Sequence, residues 1–135
     1  MFRIACTFDK GSGVDAMDPF GDIEMTDEHS TIVLRTTYLD SWFEALVRAL
    51  DGIQIGAKLT VAIPEEPKPL HIDVGADGKI TIQYENEMVC IQGKQAFEAA
   101  LRQACESFLD RVSGLNEAAR NPAITTIRQF YQTPA

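Results

Sequence analysis

The chain of 135 residues carries 20 acidic against 12 basic side chains, a net charge of −8, with 45% hydrophobic and 24% charged residues. That balance excludes a natively disordered chain, which needs low hydrophobicity with high charge. It also argues against partners such as nucleic acid or an anionic membrane, whose binding requires clustered Lys and Arg. The length suits one domain, spanning 1–135, with a core large enough to fold without staples.

In chain order, the opening MFRIACTF alternates apolar and polar residues and lacks the apolar core of a secretory signal. No segment approaches the roughly 20 apolar residues that cross a bilayer, so the expected location is cytoplasmic. Residues 2–8 predict a first strand with Phe2, Ile4, Cys6 and Phe8 on one face, and DKGSG ends it. The following stretch, VDAMDPFGDIEMTDEH, contains Asp15, Asp18, Asp22, Glu24, Asp27 and Glu28. From Gly11 to Leu34 there is no Lys or Arg. Pro19 and Gly21 interrupt it, so most of it is expected to be an exposed loop, with Ile23 and Met25 opening a second strand. TIVLRTTY, residues 31–38, is rich in β-branched residues and predicts a strand buried on both faces near its start.

LDSWFEALVRALDG then predicts a helix. Asp40 or Ser41 can cap it, and Ser41 with Glu44 has the spacing in which each side chain satisfies the other residue's backbone N–H. Phe43, Leu46, Val47 and Leu50 form its apolar face, flanked by Trp42, and Gly52 can close it in the left-handed conformation. Strands are expected at 58–64, 69–74, 79–85 and 88–92, with the proline-rich EEPKP a short, stiff connection and Asp77-Gly78 a tight hairpin turn. From Gln95 to Val112 the residues Phe97, Leu101, Ala104, Cys105, Phe108 and Val112 keep a helical rhythm that lays this longest helix on the sheet; Gly114 ends it. Asn121-Pro122 reads as a cap and first-turn proline for a short last helix presenting Ile124, Ile127 and Tyr131. These elements predict an α+β fold: an antiparallel meander with two main helices packed on one face and a short C-terminal helix.

No Walker loop, GxGxxG, GxSxG or HExxH occurs, so no catalytic, cofactor or metal residues are assigned and the chain is expected not to be an enzyme. A Ser/His/Asp or Cys/His arrangement would have to use His29 or His71, of which His71 shares a strand face with Asp73. The spacing of the six acids does not match a calcium loop. Cys6, Cys90 and Cys105 suit neither a disulfide framework nor a zinc site and read as free thiols in or near the core. The acidic stretch is either a solvated loop that keeps the protein soluble or a recognition surface for a basic protein. Its interleaved Met17, Phe20, Ile23 and Met25 favour recognition if they project as anchors, and solvation if they tuck into the core.

Taken together, the strands before the first helix, LDSWFEALVRAL, the hairpin EPKPLHIDVGADGKITIQY and the helix QAFEAALRQACESFLDRV resemble bacterial immunity proteins. These are the proteins that protect cells from polymorphic or contact-dependent growth inhibition toxins. The resemblance implies a non-enzymatic antitoxin that needs no cofactor and binds one cognate toxin domain, commonly a basic nuclease, occluding its active site or substrate surface. On charge logic the partner-binding residues are Asp15, Asp18, Phe20, Asp22, Glu24, Asp27 and Glu28, which would mimic nucleic-acid charge. The runner-up is an acidic secretion chaperone binding an effector segment, although such chaperones open with a helix and are usually dimers. A small enzyme using His71 is the third reading.

Overall fold

The computed structural model describes residues 1–9, 16–112, 114–115 and 118–133. Strands β1 (Arg3–Phe8), β2 (Phe20–Thr26) and β3 (Thr31–Tyr38) lead into helix α1 (Leu39–Asp51). Strands β4 (Lys58–Val61), β5 (Leu70–Val74), β6 (Ile80–Tyr84) and β7 (Glu87–Ile91) follow. Helix α2 (Lys94–Val112), a single 3-10 turn (Ala118–Arg120) and helix α3 (Pro122–Gln132) complete the chain. The fold is α+β with antiparallel strands throughout, as the sequence predicts, and the strands form two meanders rather than one: β1-β2-β3 and β4-β5-β6-β7. The division follows from α1, which leaves β3 and delivers the chain to the far edge of the second sheet, so that β7 rather than β4 lies beside β3.

At that junction side chains replace the backbone ladder. Glu87 accepts the N–H of Val33 at 3.3 Å, and Asp27 accepts the N–H of Cys90 at 2.7 Å. Both sheets share one helical layer, α1 packing on β2 and β4 and α2 on β1 and β7. The core between is continuous, with Phe2, Ile23, Met25, Trp42, Phe43, Ile72, Ile82, Phe97 and Phe108 all buried. Phe43 and Phe108 meet at 5.0 Å and Phe8 stacks on Phe108 at 5.7 Å, fastening α1 and β1 to α2. Burying such rings contributes most per residue to a core of this kind.

Local expectations mostly hold. Leu70, Ile72 and Val74 are buried alternately with exposed His71 and Asp73, and Ile80, Ile82 and Tyr84 alternate on β6. Asn121 caps α3 through its side-chain oxygen, which accepts from Ala123 and Ile124. Three details differ. Helix α1 begins at Leu39 after extended Tyr38 with no side-chain cap, because the chain enters directly from β3 and the Leu39 N–H is taken by the Pro19 carbonyl at 2.8 Å. Asp40 and Ser41 therefore lie inside its first turn. Gly52 is right-handed (φ −92°), and the reason for glycine is space, since a Cβ there would lie 3.0 Å from a Leu59 methyl. In the Asp77-Gly78 turn only Gly78 has positive φ (86°), and its N–H bonds back to Gly75, so the hairpin turns over four residues.

A further cluster ties the EEPKP connection to the core. Trp42 donates from Nε1 to Thr37 Oγ1 at 3.1 Å, Thr37 donates to Glu66, and Tyr84 donates to Glu66 at 3.3 Å. Burial first, then the Glu66 charge, pushes the Tyr84 phenol up to about 12.

Candidate functional site

The acidic stretch is not the loop its composition suggests. Its second half is β2, the central strand of the first sheet, paired residue for residue with β1 from Arg3↔Thr26 to Phe8↔Gly21. Period-two geometry then sorts its side chains: Ile23 and Met25 are fully buried, while Asp22 and Glu24 face outward between β1 and β3. Ile23 and Met25, interleaved with the acids, belong to the core and are not surface anchors. Phe20 is half-buried, its ring 4.8 Å from that of Tyr38, and Met17 is the one of the four that is exposed.

At the start of β2 the ladder is irregular. Register shifts between Gly21 and Ile23, so Asp22 faces both Arg35 and Thr36. A side chain at Gly21 would meet the Thr7 carbonyl oxygen at 2.0 Å, which is why glycine stands there. The Asp22 carboxylate accepts the Thr36 N–H at 2.8 Å and pairs with the Arg35 guanidinium at 3.5 Å. Thr36 has φ 57°, a left-handed backbone that a β-branched residue adopts only under strain.

The remaining acids divide between work inside the fold and display. Asp27 accepts the N–H groups of His29 at 2.6 Å and Ser30 at 2.7 Å, closing the β2–β3 turn, besides that of Cys90. Those donors, Cys90 foremost and then His29, hold its carboxyl below the usual range. Glu28 lies 3.0 Å from the Met1 amino group. Glu24 accepts only from its neighbour Thr26 at 3.0 Å among the described contacts and is exposed, as is Asp18. Asp15 lies outside the described residues. The structure thus brings Asp22, Glu24, Asp27 and Glu28 onto one strand and its turn, with Asp18 in the segment leading into it. Cationic compensation invisible in the local sequence reaches Asp22 from Arg35.

What sequence reasoning missed is the surface carrying Asp22 and Glu24. The face of both sheets turned away from the helices is covered by no described element. It displays Ala5, Thr7, Glu24, Val33 and Arg35 on one side of the β3–β7 junction, and Lys58, Thr60, His71, Asp73, Gln83, Met88 and Cys90 on the other. The signal for it was the alternation within DIEMT, in which every second residue is charged or polar. Met88 is 49% exposed and adds a large apolar side chain to a mostly polar face.

His71 stands on this face, exposed, with Nδ1 3.4 Å from the Thr60 hydroxyl; Asp73 lies on the same side of β5, and Lys58 pairs opposite Asp73. Among the described residues no group of His, Cys, Asp and Glu is arranged to hold a metal ion. No described helix is long and apolar enough to cross a membrane. Burial raises the Cys6 thiol to about 11 and the Cys105 thiol to about 12, whereas Cys90 is exposed on β7. No known protein family, curated protein or solved structure matches this chain.

Proposed function

We propose that this protein is an immunity protein that binds a cognate toxin domain, a basic nuclease, and covers its active site or nucleic-acid surface. The observation that carries this reading is the display of carboxylates on a sheet face that no described element covers. Ile23 and Met25 lock β2 into the core, and Asp22 and Glu24 are thereby held outward, with Asp18 exposed in the segment before the strand and Glu28 exposed in the turn after it. Fixed charge on a preorganised surface steers a basic partner and rejects acidic ones, while exposed Met17 and Met88 supply apolar contact. The net charge of −8 extends the attraction beyond the contact itself.

The direct test is genetic. The C-terminal segment of the protein encoded immediately upstream is expressed with and without this chain; growth arrest alone and rescue on co-expression are the expected outcome. Normal growth in its absence removes the reading. The acids to probe within the complex are Asp18 and Glu24, because Asp22 and Asp27 also hold the fold together. Reversing Asp18 and Glu24 to Lys is expected to lower the association rate by about tenfold at low salt, with a smaller change in the dissociation rate. Stopped-flow or biosensor kinetics at two salt concentrations report it, and an unaltered association rate at low salt rules out charge steering.

A further inference from the structure

β1 is the outer strand of its sheet, and its register shows which backbone groups are already used. Asp9 donates its N–H to the Phe20 carbonyl at 2.9 Å, and the pairing runs without a break from Phe8↔Gly21 to Arg3↔Thr26. The alternation of an antiparallel ladder therefore assigns the backbone groups of Thr7, Ala5 and Arg3 to β2, and turns those of Ile4, Cys6 and Phe8 to the opposite edge. No described element pairs with that edge. Beside it opens a cavity of about 680 Å³, lined by Cys6, Thr7, Phe8 and Asp9 on the strand and by Ser107, Asp110 and Arg111 on α2. A row of N–H and C=O groups at two-residue spacing next to an open groove is a template for another strand.

We propose that the strand completing this edge is β1 of a second copy of the chain, antiparallel about a two-fold axis at Cys6. Centred there, the pairing sets Ile4 against Phe8 and Cys6 against Cys6, so the N–H groups at the edge of each copy donate to the edge carbonyls of the other. The same register sets Arg3 against Asp9 on the outward face, and the symmetry repeats the pair. Sliding the strands by two residues sets Arg3 against Thr7 or Asp9 against Ala5 and loses both ion pairs, so charge selects this register over its neighbours. The pairs also oppose the mutual repulsion of two chains of net charge −8. The product is one continuous sheet in the order β3-β2-β1-β1-β2-β3. The inference does not rest on the toxin partner, because it is argued from the backbone groups at the β1 edge and is read out by the association of this chain with itself.

The test is the oligomeric state of the full chain by sedimentation from about 5 to 200 µM, with amide hydrogen exchange on the same samples. A concentration-dependent dimer is expected. Arg3→Asp or Asp9→Arg alone should raise its dissociation constant about tenfold, and the double exchange R3D/D9R should restore it. The amides of Ile4, Cys6 and Phe8 should gain protection with concentration, while those of Ala5 and Thr7, already bonded to β2, should not change. Circular dichroism verifies that each variant is folded. A single-chain mass across the whole range overturns the proposal. So does a dimer indifferent to the charge exchange, or edge amides that exchange alike at all concentrations.

Discussion

Thr36 is a β-branched residue held at positive φ, and the strain has a local cause. The shifted register at Asp22 forces the chain opposite it into a left-handed turn, which the Asp22 carboxylate then fixes by accepting the Thr36 N–H at 2.8 Å. A β-branched residue at φ 57° loses roughly 1–2 kcal/mol relative to the ordinary right-handed or extended states, most of which glycine does not. Thr36→Gly keeps the N–H and removes an exposed side chain, so it is expected to stabilise the protein by about 1 kcal/mol, net of the extra unfolded-state entropy. Urea unfolding reports it as a raised midpoint at constant slope; a lowered midpoint means that Thr36 makes a contact outweighing its strain. Neither the bulge nor the strain is legible in TIVLRTTY, which reads as an unbroken strand. Only the partner strand imposes the extra residue, and the signal lies in Gly21, where a Cβ would lie 2.0 Å from the Thr7 carbonyl oxygen.

Elements meet through polar groups that no local pattern announces. Asn121 is legible as the cap of α3, yet its amide also donates to Asp40 on α1 and to the carbonyl of Ala16, both at 2.9 Å, so one side chain joins three segments. Asp40 is buried, its other oxygen Oδ1 has no hydrogen-bond partner among the described residues, and burial raises its carboxyl above the usual carboxylate value. The sign follows directly: with a folded pKa above the unfolded one, ionisation of Asp40 weakens the fold as pH rises through the folded value, and the amide of Asn121 offsets part of that loss. Asn121→Asp preserves the cap, since Asp caps as well as Asn, but replaces the donor with a second carboxylate. It is expected to destabilise by about 3 kcal/mol at pH 7 and by less near pH 4, where the pair can share a proton. Denaturation at the two pH values measures it; an equal loss at both would assign the effect to the lost amide donor rather than to repulsion between two carboxylates. Helices α1, α2 and α3, with the strands β5 and β6, were legible because burial on one side stamps a period on the sequence. The start of α1 was not, because a carbonyl from Pro19 takes the place of the expected cap.

For the molecule as a whole, the two sheets behave as one surface because two carboxylates span β3 and β7. Asp27 is the better placed, bonding Cys90 at 2.7 Å while closing its own turn. Its carboxyl lies below the ordinary value of 3.8, chiefly through the Cys90 N–H. A depressed folded pKa gives stability that is present above the unfolded value and is lost as pH falls through the folded one. Acidification below about pH 4 is therefore expected to loosen the junction first, seen as a lower protection of the Cys90 amide relative to its intrinsic exchange rate at the same pH. Asp27→Asn should lose about 1 kcal/mol at pH 7 and show a flatter acid limb. Unchanged exchange at Cys90 in the variant would mean that the sheets are held by packing alone.

The sequence by itself determined the fold class, the identity and order of nearly every element, which face of each is apolar, and a surplus of negative charge. Those properties are written in periodicity and composition, which each residue carries wherever it is placed. The tertiary structure alone decided that DIEMT is a central strand, that Met25 is core while Glu24 is display, that Arg35 neutralises Asp22, and that β7 rather than β4 adjoins β3. Each of these depends on which distant segment lies opposite, and pairing across space is set by the whole core closing at once rather than by the residues next along the chain.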